Sequence, residues 1–114
     1  ARKDGLPASL GERVARAWMD ADAYALAIYR MCSRLAEGGT IGPESSTNKI
    51  FWSELDMDIH QTALAILGPE AELAASGDGW LDGWIFALAG PIYAGSNEIQ
   101  RNIIAERMLG LPKG

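Results

Sequence analysis

From Leu10 onward, apolar residues recur at alternating steps of four and three: Leu10, Val14, Ala17, Ala21, Tyr24, Ile28, Met31 and Leu35. That spacing lines one face of an α-helix and predicts a long helix from about Ser9 to Glu37. Glu12, Arg13, Arg16, Asp20, Arg30 and Arg34 fall largely outside the seam. Gly38-Gly39 stops the helix, because glycine readily takes the left-handed turn that closes a helix end. A second long helix is predicted from near Pro43, since proline suits a first helical turn, to Gly68-Pro69. Its stripe is Phe51, Leu55, Ile59, Thr62 and Ile66, with Trp52 and Ala63 alongside. Residues 69–79 read as a turn-rich loop around Ser76-Gly77-Asp78-Gly79. A short apolar helix from roughly Trp80 to Leu88 is broken by Gly90-Pro91. A connector, Pro-Ile-Tyr-Ala-Gly-Ser, leads to a last helix starting near Asn97, with Gln100 three residues on in capping-box spacing and Glu98 in the first turn. That helix stops at Gly110, with Pro112 beyond. No strand alternation, repeat or low-complexity segment interrupts this pattern. The expected fold is all-α: an antiparallel bundle of two long and two shorter helices, in one domain over residues 1–114.

Composition narrows the partners. Hydrophobic residues make up 48% of the 114, enough for a globular core and too many for a disordered chain. Fifteen acidic against ten basic residues leave a net charge of −5, which argues against a nucleic-acid or anionic-membrane partner. It leaves room for an anionic cofactor, which needs only a few local donors. Cys32 is the single cysteine, so no internal disulfide forms and a reducing, cytoplasmic setting is expected. No apolar run reaches the length of a membrane span, and the start carries no signal-peptide pattern. His60 is the lone histidine, which excludes a two-histidine metal site; it reads as structural or solvent-facing. Glu54, Asp56 and Asp58 splay around a helix at steps of two and read as a wet face, so no metal site is expected. The four tryptophans, Trp18, Trp52, Trp80 and Trp84, read as core or interface more than as a ligand box.

The segment from Pro91 onward is the most informative. An apolar helix meets Gly-Pro, Ile92-Tyr93 follows, and Gly95-Ser96-Asn97 opens a helix. Unpaired N–H groups at such a start attract anions or carbonyl oxygens. Small residues at Ala94, Gly95 and Ser96 let a ligand approach the main chain. The residues alone leave two readings open, a simple capped helix start or a ligand site.

The run Ile92-Tyr93-Ala94-Gly95-Ser96-Asn97-Glu98-Ile99-Gln100-Arg101-Asn102-Ile103-Ile104-Ala105-Glu106-Arg107-Met108-Leu109-Gly110-Leu111-Pro112 closely resembles the terminal signature of acyl-CoA dehydrogenases. Upstream, Gly42-Pro43-Glu44-Ser45-Ser46, Lys49 and Phe51-Trp52-Ser53-Glu54 resemble the penultimate long helix of many bacterial members, so the likeness runs from about Arg13 onward. The resemblance implies an FAD enzyme that oxidises acyl-CoA thioesters to trans-2-enoyl-CoA, in dimers or tetramers. A carboxylate removes the α-proton and the flavin takes a hydride from the β-carbon. By the same resemblance this chain is the later part of the C-terminal bundle, without the flavin-holding β domain and the bundle's first helix.

Carried over by position, the backbone N–H of Ala94 would polarise the thioester carbonyl, with Tyr93 and Gly95 on the substrate side. Ser96 and Glu98 would contact FAD, near its pyrophosphate and at its adenosine side; without a ligand they read as a capped, dipole-matched helix start. Many relatives carry the catalytic glutamate where this chain has Ala94, so the base is expected elsewhere in the parent or the subunit is not catalytic. The loop Ala65-Ile66-Leu67-Gly68-Pro69-Glu70 lacks the glutamine and paired glycines with which many members touch a neighbouring subunit's FAD. The resemblance implies a homo- or hetero-oligomer through the helical bundle; the altered loop lacks this cross-subunit FAD contact and points to the heteromer, with some flavin contacts from a different subunit. The rival expectation is a non-catalytic helical interaction module derived from the same family.

Overall fold

A computed structural model describes residues 5–72 and 79–113, and those residues form helices and no strand. Helix α1 spans Ala8–Ala36 and α2 spans Glu44–Leu67, followed by a 3-10 turn at Gly68–Glu72. Helix α3 is Trp80–Ala87, and α4 is Asn97–Ile103, continued by a π-helical stretch at Ile104–Met108. The boundaries fall where glycine and proline put them. The Pro7 carbonyl accepts from the N–H groups of Leu10 and Gly11. At the other end of α1, the N–H groups of Glu37, Gly38 and Gly39 close onto the carbonyls of Ser33, Leu35 and Arg34, with Gly38 at φ +85°. The expected stop at Gly110 also holds: it sits at φ +69°, and Leu109 and Leu111 donate back to Ile104 and Ala105. The wider π turn before it has no signature in the sequence pattern. The expected loop after α2 begins as the 3-10 turn, and Ser76-Gly77-Asp78 lies outside the described residues. No described helix is long and apolar enough to cross a membrane.

Helices α1 and α2 form a hairpin whose cross-links run early-to-late. Arg13 meets Asp58 at 3.4 Å, Tyr24 stacks on Phe51 with centroids 6.2 Å apart, and Arg34 pairs with Glu44. The ion pairs are half exposed and contribute little individually; the apolar seam between them holds the hairpin. The tightest packing on α2 uses small polar residues instead of its apolar stripe: Ser46, Ser53 and Thr62 are its buried positions. Ser53 is fully buried because the α3–α4 corner lies on it, and a Cβ added at Gly90 would stand 3.2 Å from that of Ser53. Farther along, His60 is clasped between α2 and α3. Its Nδ1 lies 2.8 Å from the Asp56 carbonyl, and its ring meets Trp80 edge-on at 5.6 Å. It is thus structural, one of the two roles expected of it.

Gly83 faces that ring. A Cβ there would come within 2.8 Å of His60 Cδ2, and Asp56 leaves the imidazole little room to retreat. Gly83→Ala is therefore expected to destabilise the fold by about 1–3 kcal/mol, the range for overpacking. Urea unfolding would check this, and an unchanged midpoint would contradict it.

The hairpin and its two short helices do not close into a compact body. The radius of gyration is 17.6 Å, against about 13 Å for a compact chain of this length. The exposed surface is 8122 Å², against about 6,100 Å² for a compact monomer of the same mass. Ala17, Ala71 and Ala87 are the buried apolar residues among those described. The expected α1 seam is only partly covered: Ala17 is buried, but Val14 and Leu35 stay exposed. A second apolar row, Trp18, Met19, Leu26 and Tyr29, lies on an uncovered side of the helix, with Trp18 72% exposed.

Candidate functional site

The corner between α3 and α4 is held by one buried side chain. Asn97, the first residue of α4, is 3% exposed and turns its amide into the middle of α2. Its Oδ1 accepts from Lys49 Nζ at 2.7 Å, and its Nδ2 donates to Ser53 Oγ at 3.1 Å and toward Glu54 Oε1 at 3.4 Å. The Ser53 hydroxyl is then free to donate to the Ile50 carbonyl at 3.0 Å. Arg101, one turn along α4, closes the group with a 2.6 Å contact to the same Glu54 oxygen. The Asn97 N–H donates to the Pro91 carbonyl at 2.8 Å, which cinches the loop between them. A lysine ammonium and buried amide and hydroxyl groups that satisfy one another make a rigid base.

That base presents the loop Ile92–Ser96. Ala94 is the only non-glycine residue at positive φ among those described, at +55°, and Gly95 follows at +85°. The left-handed region costs an alanine about 1–2 kcal/mol, so the surroundings must impose it. Gln100 does so from α4: its Nε2 donates to the Ala94 carbonyl at 3.0 Å and to that of Gly95 at 3.5 Å. The N–H groups of Ala94, Gly95 and Ser96 donate to no backbone carbonyl among the described residues. The outcome is an exposed loop with its carbonyls turned inward on one glutamine and three main-chain donors left over. Tyr93, which shares the loop, packs its ring on Trp52 of α2 at 5.9 Å.

The capping register differs from the capping-box spacing expected from Asn97 and agrees with the reading of Ser96 as part of a capped helix start. The cap of α4 is Ser96, whose Oγ accepts from the Ile99 N–H at 3.5 Å, and not Asn97. The reason is physical: the Asn97 side chain is committed to Lys49, Ser53 and Glu54 and cannot also cap its own helix. Gln100 consequently sits one position beyond the capping-box glutamine and reaches the loop carbonyls instead. Glu98 lies in the first turn as expected. Its own N–H and then the Ser96 hydroxyl hold its carboxyl below the usual glutamate range, with Arg101 and Lys49 adding to the effect.

Other candidate groups do not converge on this corner. The acidic positions of α2 turn to three separate partners, Glu54 to Arg101, Asp56 to His60 and Asp58 to Arg13, and are less of a free wet face than their spacing suggests. Among the tryptophans, Trp52 backs the loop, Trp80 and Trp84 lie on α3, and Trp18 faces outward with its Nε1 on Asp22 at 3.1 Å. Cys32 is exposed. Asn97, Ser53 and Gln100 are the residues sequence reasoning did not single out as a working set. The one available signal was Lys49 and Ser53 within the resembling stretch of α2.

Residues 8–109 match the family described as acyl-CoA dehydrogenase, C-terminal domain. The chain is 38% identical over 109 residues to acyl-CoA dehydrogenase IpdE1 of Mycobacterium tuberculosis, covering 90% of this chain and 26% of that protein. It is 39% identical over 72 residues to acyl-CoA dehydrogenase IpdE1 of Mycolicibacterium smegmatis, covering 61% of this chain and 18% of that one. The chain thus spans about a quarter or less of the length of these curated relatives. No solved structure matches it significantly. With its helices and its loop inside the matched span, the chain belongs to the acyl-CoA dehydrogenase family, as a C-terminal helical domain.

Proposed function

We propose that this chain works as the C-terminal bundle of a larger FAD-dependent acyl-CoA dehydrogenase that oxidises an acyl-CoA thioester to the α,β-enoyl-CoA. The observation that carries the reading is the loop at Tyr93–Ser96, with main-chain donors left unpaired on a base of buried amide and hydroxyl groups beside a half-buried lysine. Removal of an α-proton builds negative charge on the thioester oxygen. A fixed N–H, here that of Ala94, stabilises that charge without having to reorganise. Tyr93 and Gly95 flank it, and the lack of a side chain at Gly95 keeps the approach to the main chain open.

The same corner suits a pyrophosphate-bearing cofactor. Ser96 would offer a hydroxyl and an N–H, and the ionised carboxylate of Glu98 would accept from ribose hydroxyls. When bound, FAD would supply the acceptor for the β-hydride. Ala94 has no group to take the α-proton. Glu98 is a poor substitute, since a carboxyl held below its usual range is a weak base at neutral pH. Glu54 is occupied by Arg101 and Asn97. The base therefore comes from another part of the protein or from a partner subunit. The uncovered apolar row of α1 would serve subunit association.

The test uses the complete protein containing this chain, supplied with acyl-CoA thioesters of graded size and an artificial electron acceptor. The expected product has lost two hydrogens, read by mass. A complete, flavin-loaded protein that oxidises none of them would favour the second reading, a non-catalytic association module. Ala94, with no base in the position many relatives use for one, is the observation behind that alternative.

A further inference from the structure

We propose that Gln100 is a positioning residue for this loop: its side-chain amide sets the two peptide planes that follow Ala94, and through them the donor geometry at the thioester. The proposal rests on the functional reading above. A primary amide nitrogen carries two hydrogens, and Gln100 Nε2 has two acceptors, the carbonyls of Ala94 and Gly95. In a trans peptide, the carbonyl and the next N–H point in opposite directions, and no cis bond occurs among the described residues. Drawing both carbonyls toward α4 therefore turns the Gly95 and Ser96 N–H groups away from it. The N–H of Ala94 belongs to the preceding peptide plane, so the clamp acts on it through the Ala94 backbone, which stands at φ +55° with Gly95 at +85°.

Gly95 provides a second, independent observation. A Cβ there would stand 2.8 Å from Gln100 Nε2 and would be strained at φ +85°, so a side chain at this position would press on the amide. Gln100 itself rises from a helix whose first residue is locked onto α2 by Lys49 and Ser53, so its reach is set by a rigid base. A bland alternative exists, in which Gln100 only braces the helix start. The two differ in what they move: a brace changes stability, whereas a positioning residue changes turnover with little change in substrate affinity.

The experiment compares Gln100→Leu and Gln100→Glu in the complete protein with Asn102→Leu, an exposed position on the same helix. The leucine keeps the bulk without a donor; the glutamate presents acceptors to two carbonyls. The N–H groups of Tyr93 and Asn97, which bond to the Ala89 and Pro91 carbonyls at the two ends of the loop, are expected to exchange about tenfold faster in both Gln100 variants. Turnover is expected to fall by about tenfold, further in Gln100→Glu, with KM within about twofold. Asn102→Leu should match the wild type in both. Unchanged exchange in Gln100→Leu would overturn the clamp. Quickened exchange with unchanged kcat would reduce Gln100 to a brace and overturn the positioning role. A wild-type protein inert toward every acyl-CoA would overturn the catalytic reading and this role together, while the exchange data would still decide the clamp.

Discussion

The isolated 114-residue chain is expected to self-associate at micromolar concentration, most simply as a two-fold dimer. It exposes about 2,000 Å² more surface than a compact monomer of its mass would. That excess is more than the roughly 800 Å² that each partner buries in a standard protein interface. Much of it is apolar and contiguous: Trp18, Met19, Leu26 and Tyr29 share one side of α1. An uncovered patch of even 400 Å² gives a gross drive of about 10 kcal/mol before association costs. Tryptophan anchors of this kind carry much of an interface's energy, so Trp18→Ala should weaken association by at least about tenfold. Sedimentation equilibrium would decide the matter. A monomer with no concentration dependence would mean that the two-sided α1 helix is satisfied within one chain.

Asn97→Ala should be the most damaging single change in the corner. It removes the acceptor of a half-buried lysine and the donor to a fully buried serine, and it frees the loop's lower end. Hydrogen bonds to charged groups contribute about 1.5–3 kcal/mol each, and the partners left behind remain desolvated. A loss of about 3 kcal/mol in urea unfolding is expected. Asn97→Asp should cost less, since it keeps an acceptor for Lys49, although it sets a carboxylate beside Glu54. A change below about 0.5 kcal/mol for Asn97→Ala would show that the cluster is ornamental, at the level of an ordinary surface substitution.

The element boundaries were legible in the sequence because glycine and proline act locally. Gly38, Gly68 and Gly110 each stand at positive φ at a helix end, and Pro7 and Pro43 each precede a helix start. The two long helices were legible as well, although Ala17 is buried while Val14 and Leu35 of the expected α1 seam stay exposed. The machinery of the corner was not. Asn97 and Ser53 are 44 positions apart, and nothing in either local stretch announces that they meet. Once Asn97 is committed to α2, the cap moves to Ser96 and Gln100 is released toward the loop. A capping-box pattern, which considers only local spacing, assigns that glutamine the wrong task. The outer row of α1 was hidden for a different reason: Trp18, Asp22, Leu26 and Tyr29 include a charge, and the inner seam already accounts for the helix.

The most direct test of the central claim is a flavin spectrum. We propose this chain as one wall of a flavin site whose main holding surface lies elsewhere, because a few contacts from Ser96 and Glu98 cannot offset the cost of ordering so large a cofactor. The complete protein should therefore purify with flavin absorbance near one equivalent per site, and the isolated 114-residue chain with none. Flavin retained stoichiometrically by the isolated chain, or a complete protein that neither carries nor takes up FAD, would contradict it.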